Sequence, residues 1–247
     1  MIRKTPRLRA AALAAATLAV TALGAGAAQA TQVFSDNFNG ENGGVAADPY
    51  TGFANFTVLS GAVTLNEGAR CDGGAGGCVG LDGRGGGGGT EFEMSNGLNY
   101  GVGSVVTLTY DIAGNNHDCP ACATDDEYEA GFVFSNIGET INDVTLDGID
   151  VGPTVVSTGI DLFGTGFPLP FNDPWTTHTI SFTATDVGTI KAHFRSFSTD
   201  GVGPLLDNVS VDVTGGGVPE PAGWALMILG FGATGAALRR RRTVVAA

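Results

Sequence analysis

The chain has 247 residues with 12 Lys and Arg against 25 Asp and Glu, a formal net charge of −13, and 40 glycines. Both ends read as processing segments, and between them residues 31–217 keep only Arg70, Arg84, Lys191 and Arg195 against 24 acids, a formal charge of −20. Such a surface excludes nucleic acid as a partner, because phosphates require a basic face; it suits divalent cations and uncharged polymers, and it keeps an exported domain soluble.

Residues 1–30 begin with Arg3, Lys4, Arg7 and Arg9, continue through an Ala/Leu/Val run, and close on Ala28-Gln29-Ala30. Charged start, apolar middle and A-x-A end are the parts of a secretory signal peptide, with cleavage expected after Ala30. An uncleaved membrane helix is the competing reading, and the position of the A-x-A favours cleavage.

From residue 31 onward the pattern is that of strands. Short apolar stretches stand at Phe56–Leu59, Ala62–Leu65, Val79–Leu81 and Glu91–Met94. Val106, Leu108, Tyr110 and Ile112 then alternate with polar neighbours, the period-2 signature of a strand with one buried face. Tyr128–Phe134 and Thr154–Leu162 follow, then Ile180/Phe182/Ala184, Ile190/Ala192/Phe194 and Val209/Val211/Val213, each in alternation. Sustained helical periodicity is absent between the two ends. Some ten short strands separated by Gly, Asn, Asp and Pro predict an all-β domain over residues 31–214, a two-sheet sandwich or jelly roll. Roughly 185 residues suffice for one buried core of this kind. Gly83 and Gly85–Gly89 form a loop with no P-loop lysine and no strand-to-helix setting, so it is not a phosphate cradle. Gly215–Gly217 reads as a linker.

Four cysteines fall in two close pairs, Cys71/Cys78 and Cys119/Cys122. In an exported chain an even count at short spacing points to disulfides, and two local bridges are the simplest of three connectivities. Cys119-Pro120-Ala121-Cys122 also has the spacing of redox and zinc sites. Its flanks, with His117, Asp118, Asp125, Asp126 and Glu127, read as an acidic loop, which raises a thiol pKa and disfavours redox chemistry.

The chain closes on Val218-Pro219-Glu220-Pro221-Ala222-Gly223-Trp224-Ala225, an apolar run to Leu238, and Arg239, Arg240, Arg241 and Arg242. Residues 222–238 would make a helix of about 26 Å, marginal against a hydrocarbon core of about 30 Å. Trp224 stands where an interfacial aromatic belongs, and the arginines mark the cytoplasmic side. Gly230, Gly232 and Gly235 suit a membrane segment and do not by themselves make a dimer motif. Residues 218–247 resemble the PEP-CTERM sorting signal, in its variant with Trp-Ala after Pro-Glu-Pro. The resemblance implies that the tail is held transiently in the inner membrane of a Gram-negative cell and processed by an exosortase. The domain would then reach the cell surface or the exopolysaccharide. A permanent, unprocessed anchor is the competing reading.

Phe34-Ser35-Asp36-Asn37-Phe38, Val79-Gly80-Leu81-Asp82-Gly83 and Leu206-Asp207-Asn208-Val209 resemble a group of PEP-CTERM proteins and, more distantly, galactose-binding-like jelly rolls of carbohydrate-binding modules. That resemblance implies adjacent first and last strands and a structural calcium with Asp36 and Asp207 as carboxylate ligands, completed by carbonyl oxygens. Asp-Asn is equally a common turn pair. No other cofactor is required. No G-x-S-x-G, H-E-x-x-H, kinase or dinucleotide pattern is present, and His117, His178 and His193 are isolated, the latter two expected to face outward. The chain therefore reads as no enzyme, although a carboxylate pair for glycoside chemistry is defined in space and escapes a sequence search. Two readings remain: a structural surface or matrix protein, or a glycan-binding module using exposed aromatics. Candidates for the latter are Trp175, Tyr100, Tyr128 and Phe197, with Trp175, after Pro174 at a strand start, serving equally well as core or rim packing.

Overall fold

The computed structural model describes residues 31–84, 89–115, 125–157, 159–162, 167–198 and 200–215, together with Phe231. These residues build fifteen strands: β1 (Thr31–Asp36), β2 (Phe56–Ser60), β3 (Thr64–Glu67), β4 (Gly77–Gly80), β5 (Thr90–Met94), β6 (Leu98–Tyr100), β7 (Val105–Ala113), β8 (Asp126–Phe134), β9 (Thr140–Leu146), β10 (Ile149–Val155), β11 (Ile160–Leu162), β12 (Phe167–Leu169), β13 (Thr176–Thr183), β14 (Gly188–Ser196) and β15 (Leu205–Thr214). All pairings are antiparallel, and they make two sheets. The larger runs β10-β9-β13-β7-β15-β4-β3, with β1 beside β15; the smaller runs β11-β8-β14-β5-β2, with β12 on β8 and β6 on β14.

Each long strand faces the opposite sheet with alternate residues, and those residues are the core. Val106, Leu108, Tyr110 and Ile112 of β7 meet Ala130 and Phe132 of β8 and Ile190, Ala192 and Phe194 of β14 in one continuous cluster, all of them fully buried. Aromatic rings occupy the two ends of this layer. Phe92 stacks on Phe56 at 4.6 Å between centroids and meets Phe53 edge-on at 4.9 Å, with Phe38 alongside. Tyr100, Phe132, Phe134 and Phe182 form the second group. Edge and offset contacts of this kind add to the burial term of the rings.

Local chemistry sets the connections. Asp147-Gly148 joins β9 to β10 with positive φ at both residues (50° and 76°), the two-residue turn whose twist matches a hairpin. Phe38, although not glycine, has φ 54°, and the Asp36 carboxylate accepts its N–H at 2.9 Å. That bond supplies the local compensation such a backbone needs.

Two departures from the sequence pattern have physical causes. The stretch expected as one strand over Thr154–Leu162 is divided: β10 pairs with β9 in the larger sheet, whereas β11 pairs with β8 in the smaller. Between them Val156 turns inward, fully buried, and its N–H bonds to the Glu139 carbonyl. Strand β9 escapes the period-2 search because Ile141 and Val144, three apart, are both buried. Asp143, at φ 50°, shifts the register between them.

Cys71 and Cys78 are disulfide-bonded, with Cα atoms 5.3 Å apart, as expected from their spacing. Cys119 and Cys122 lie outside the described residues, as do Ala28, Ala30, the Pro219–Pro221 tripeptide, Trp224, Ala225 and Arg239–Arg242. Among the described residues no helix is long and apolar enough to cross a membrane.

Phe92 touches three other rings in the core, so Phe92→Ala should lower the unfolding free energy by about 3–5 kcal/mol, the usual cost of emptying a buried aromatic site. Urea denaturation measures it, and a loss under about 1 kcal/mol would contradict this packing.

Candidate functional site

A cleft of about 320 Å³ opens where β3, β4 and the start of β15 meet the 200–203 loop. Its lining includes Asp48, Asn66, Arg70, Asp82, Arg84 and Asp200. Gly80 forms part of the floor because it has no side chain: a Cβ there would stand 3.1 Å from the Asn66 amide nitrogen. Gly203 is required for a different reason. A Cβ on it would come within 2.7 Å of the Asp82 Cβ, so only glycine lets the loop pass this close to Asp82.

Hydrogen bonds hold the rim in place. Gly201 donates its N–H to Asp82 Oδ2 at 2.8 Å, and Val202 donates to Asp200 Oδ1 at 3.0 Å. The Ser198 hydroxyl bonds to Asp200 Oδ1 and to the Val202 carbonyl, each at 3.1 Å. Arg84 donates its backbone N–H to Asp48 Oδ1 at 2.9 Å, with its guanidinium 3.6 Å from Asp48 Oδ2 and open to solvent. Behind the rim, Asn115 bridges Asp126 Oδ2 (3.3 Å) and the Val202 carbonyl (3.2 Å).

The cleft thus has two of the domain's four basic residues at its mouth and buried acids behind it. Burial pushes the Asp126 carboxyl up to about 7; Asp200 and Asp82 add to the rise, while Ser198 and Asn115 oppose it. Asp82 is raised in the same way, chiefly by burial, against the Gly201 N–H.

A second polar group sits on the larger sheet's outer face. Asp207 on β15 pairs with Asp111 on β7, next to a bulge at which Asn208 adopts φ 48°. The Asn208 amide reaches Asp111 (2.8 Å) and Asp72 (3.1 Å), the latter on the loop closed by the disulfide. Asp207 is almost fully buried, which raises its carboxyl to about 7, with Asp72 and Asp111 contributing. Asp36 sits elsewhere in its bonding: its oxygens accept from the Phe38 N–H and the Asn55 amide, 2.9 Å each. Strands β1 and β15 are indeed neighbours. Among the described residues no three His, Cys, Asp or Glu side chains are grouped so as to hold a metal, and Asp36 shares a polar pocket with Ser35, Asn37, Asn208, Val209 and Ser210.

The smaller sheet's outer face carries a charged ladder. Lys191 donates to Glu93 at 2.8 Å, His193 Nδ1 lies 3.3 Å from the other Glu93 oxygen, and Arg195 stands 3.8 Å from Glu129 and 4.6 Å over the Phe197 ring. Lys191, His193 and Arg195 come from alternate positions of β14, and their partners come from β5 and β8 on either side.

Several expected site residues are corrected. His193 is on the outer face but only 1% exposed, and burial lowers its pKa despite Glu93, so it is neutral near pH 7. His178 shares the parity of Ile180 and Phe182, not that of Thr179: its ring stacks on Tyr110, and its Nδ1 lies 2.8 Å from Asp147. Tyr100 and Tyr128 are not exposed platforms. Both point into the core, Tyr100 donating to Glu139 at 2.6 Å and Tyr128 packing on Tyr110 and Phe167. Phe197 is partly exposed under Arg195, and Trp175 is half-buried just before β13. Neither lines the cleft. Sequence reasoning missed the cleft residues because they come from five separate segments; Asp82-Gly83 and Asp200-Gly201, both acid-glycine turns near strand ends, were the only signal.

No protein-family profile matches the chain, and no curated protein matches it. Among solved structures it is similar to the N-terminal modules of Clostridium thermocellum endo-1,4-beta-D-xylanase 10B complexed with xylohexaose, at 12% identity and TM-score 0.42. That match covers 77% of this chain and 30% of the other, so the chain spans under a third of that structure's length. It is also similar to a cyclase from Fischerella sp. (13%, TM-score 0.43, 75% and 98% covered). A third is the xylan-binding domain of a Paenibacillus barcinonensis protein (10%, TM-score 0.34, 77% and 97% covered). Such values mark a shared two-sheet strand arrangement at most.

The buried Asp126 couples the stability of the domain to pH. Its folded pKa, about 7, exceeds the ordinary 3.8, so the folded state binds the proton more tightly than the unfolded one. This stabilisation is complete below the ordinary value and is lost as the pH rises through about 7. The Tm should therefore rise on going from pH 8 to pH 5. Asp126→Asn should raise the Tm at pH 8 and flatten that dependence. A Tm that falls between pH 8 and pH 5 in the parent, or a variant with the parent's slope, would contradict this account of Asp126.

Proposed function

We propose that the chain is an exported cell-surface or exopolysaccharide-associated protein whose β-sandwich, a jelly roll of the carbohydrate-binding kind, engages polysaccharide hydroxyls at the cleft described above. In this reading residues 1–30 are removed by signal peptidase. The tail at residues 218–247 is then held in the inner membrane of a Gram-negative cell and processed by an exosortase near Pro219-Glu220-Pro221.

The observation that carries the glycan reading is the composition of the cleft. Its lining offers amides, carboxylates and guanidinium groups, and its loops are held by backbone N–H bonds to the Asp48, Asp82 and Asp200 carboxylates. A neutral, hydroxyl-rich chain can exchange bonds with both donors and acceptors in such a site and brings no charge into the field of a domain at −20. Preset polar groups of this kind fix the orientation of a bound ligand.

The mature surface form, purified from its host, should be retarded in a gel containing that host's exopolysaccharide. Asn66→Ala combined with Arg70→Ala should remove the retardation, whereas Trp175→Ala, away from the cleft, should leave it. Free migration through every polysaccharide tried would end the glycan reading and leave a structural matrix protein without a specific ligand. The sorting reading is tested separately by mass: the surface form should end near Pro221, and a form that still carries residues 222–247 would contradict processing.

A further inference from the structure

Both terminal segments leave the sandwich at the same end. Thr31, the first residue of β1, pairs with Val213 next to the last residue of β15, and the Ser104 hydroxyl bonds to the Gly215 carbonyl at 3.1 Å. Three turns surround this exit, and each presents an apolar residue at its tip: Val102 (59% exposed), Ile137 (70%) and Val187 (60%).

These tips are tied together. The Asn136 amide bonds to the Val187 carbonyl at 2.5 Å, joining the second turn to the third. Gly103 donates to Ala184 at 2.8 Å and Ala184 to Ser104 at 2.8 Å, joining the first to the third. At their centre the buried Glu139 accepts from the Tyr100 hydroxyl and from the backbone N–H groups of Thr185 and Asp186. Each tip residue is also next to a glycine, Gly103, Gly138 or Gly188, so the apolar side chain projects beyond its turn. Turns built for water alone normally carry Asn, Asp, Ser or Gly at their tips.

We propose that this end of the sandwich docks on the lipid bilayer, with Val102, Ile137 and Val187 entering the headgroup region of the leaflet it faces. The inference rests on reading the tail as a membrane segment. Six residues, 216–221, separate Gly215 from the apolar run that begins at Ala222. Even fully extended, the seven steps from Gly215 to Ala222 span about 25 Å, so the domain is held close to the bilayer with its exit end toward it. The three turns contain no lysine or arginine, and Asp186 is exposed among them. The contact is therefore apolar rather than electrostatic, and a zwitterionic leaflet suits this acidic domain better than an anionic one. Docking would hold the sandwich upright on the membrane while the Pro-Glu-Pro segment waits to be processed.

The test uses the full chain reconstituted in phosphatidylcholine vesicles containing spin-labelled lipid. In the parent, Trp224 reports the tail and Trp175, just before β13 at the opposite end of the domain, reports the distal face. In chains carrying Trp175→Phe and Trp224→Phe, a single probe is placed as Val102→Trp, Ile137→Trp or Val187→Trp. All three probes should shift to the blue and be quenched by the labelled lipid, Trp224 should be quenched, and Trp175 should not. Trp224 quenched with all three probes still emitting as in water would overturn the docking alone. An unquenched Trp224 would overturn the tail reading and the docking with it. Hydrogen exchange on the unsubstituted chain guards against damage by the probes: residues 101–104, 135–139 and 184–188 should exchange more slowly with vesicles than without, and equal rates would overturn the proposal.

Discussion

The arrangement of this protein depends on the position of its last strand. β15 lies inside the larger sheet, bonded along one side to β7 and along the other to β1 and β4, which meet it end to end. Most of its backbone hydrogen bonds are therefore made to segments more than 90 residues earlier in the chain. Loop-closure entropy must be overcome before those bonds can form, so the sheet is completed only when the whole domain is present. One strand thereby anchors the first strand, the disulfide-bearing segment that precedes β4, and the centre of the core through Val209 and Val211.

Two consequences follow from that placement. At its start, β15 brings Leu205 and the 200–203 loop beside β3 and β4, which is where the cleft opens. At the Asp207–Asn208 bulge it turns a carboxylate onto the outer face, against Asp111 and under Asp72. The smaller sheet repeats the device, with β14 between β8 on one side and β5 and β6 on the other. Its outer face gathers Lys191, His193 and Arg195 into a column flanked by Glu93 and Glu129. In a domain so rich in acids, the cations Lys191 and Arg195 stand where two neighbouring strands can pair them, with the uncharged His193 between them. Partly buried pairs of this kind are screened less than exposed ones and fix side-chain geometry as much as they stabilise.

Much of the strand pattern was legible beforehand, and the failures have identifiable causes. β7, β13, β14 and β15 were visible because Val106–Ile112, Ile180–Phe182, Ile190–Phe194 and Val209–Val213 keep strict alternation between apolar and polar residues. β9 was invisible because Asp143 inserts a residue between Ile141 and Val144, and period-2 reading fails at any bulge. The aromatic residues misled in a consistent way. Tyr100 and Tyr128 carry polar tips that suggest sugar platforms, yet each finds a partner inside the domain, Glu139 for Tyr100 and the Tyr110 ring for Tyr128. His178 was misassigned by one step of parity, which is enough to turn its ring from open solvent onto Tyr110.

The sequence alone determined what is local: the all-β class, the close Cys71/Cys78 spacing that made a local bridge the simplest pairing, the acidic balance, and the candidate export and sorting segments at the two ends. Each of these depends on neighbours along the chain or on bulk composition, so no knowledge of the fold was needed. Tertiary structure decided the rest: which carboxylates are buried, which acids meet which cations, and which five segments surround the cleft. It also decided that Val102, Ile137 and Val187 share one end with both chain exits. Those relations depend on strand order and register, and a period-2 pattern specifies a strand's faces while leaving its neighbours open.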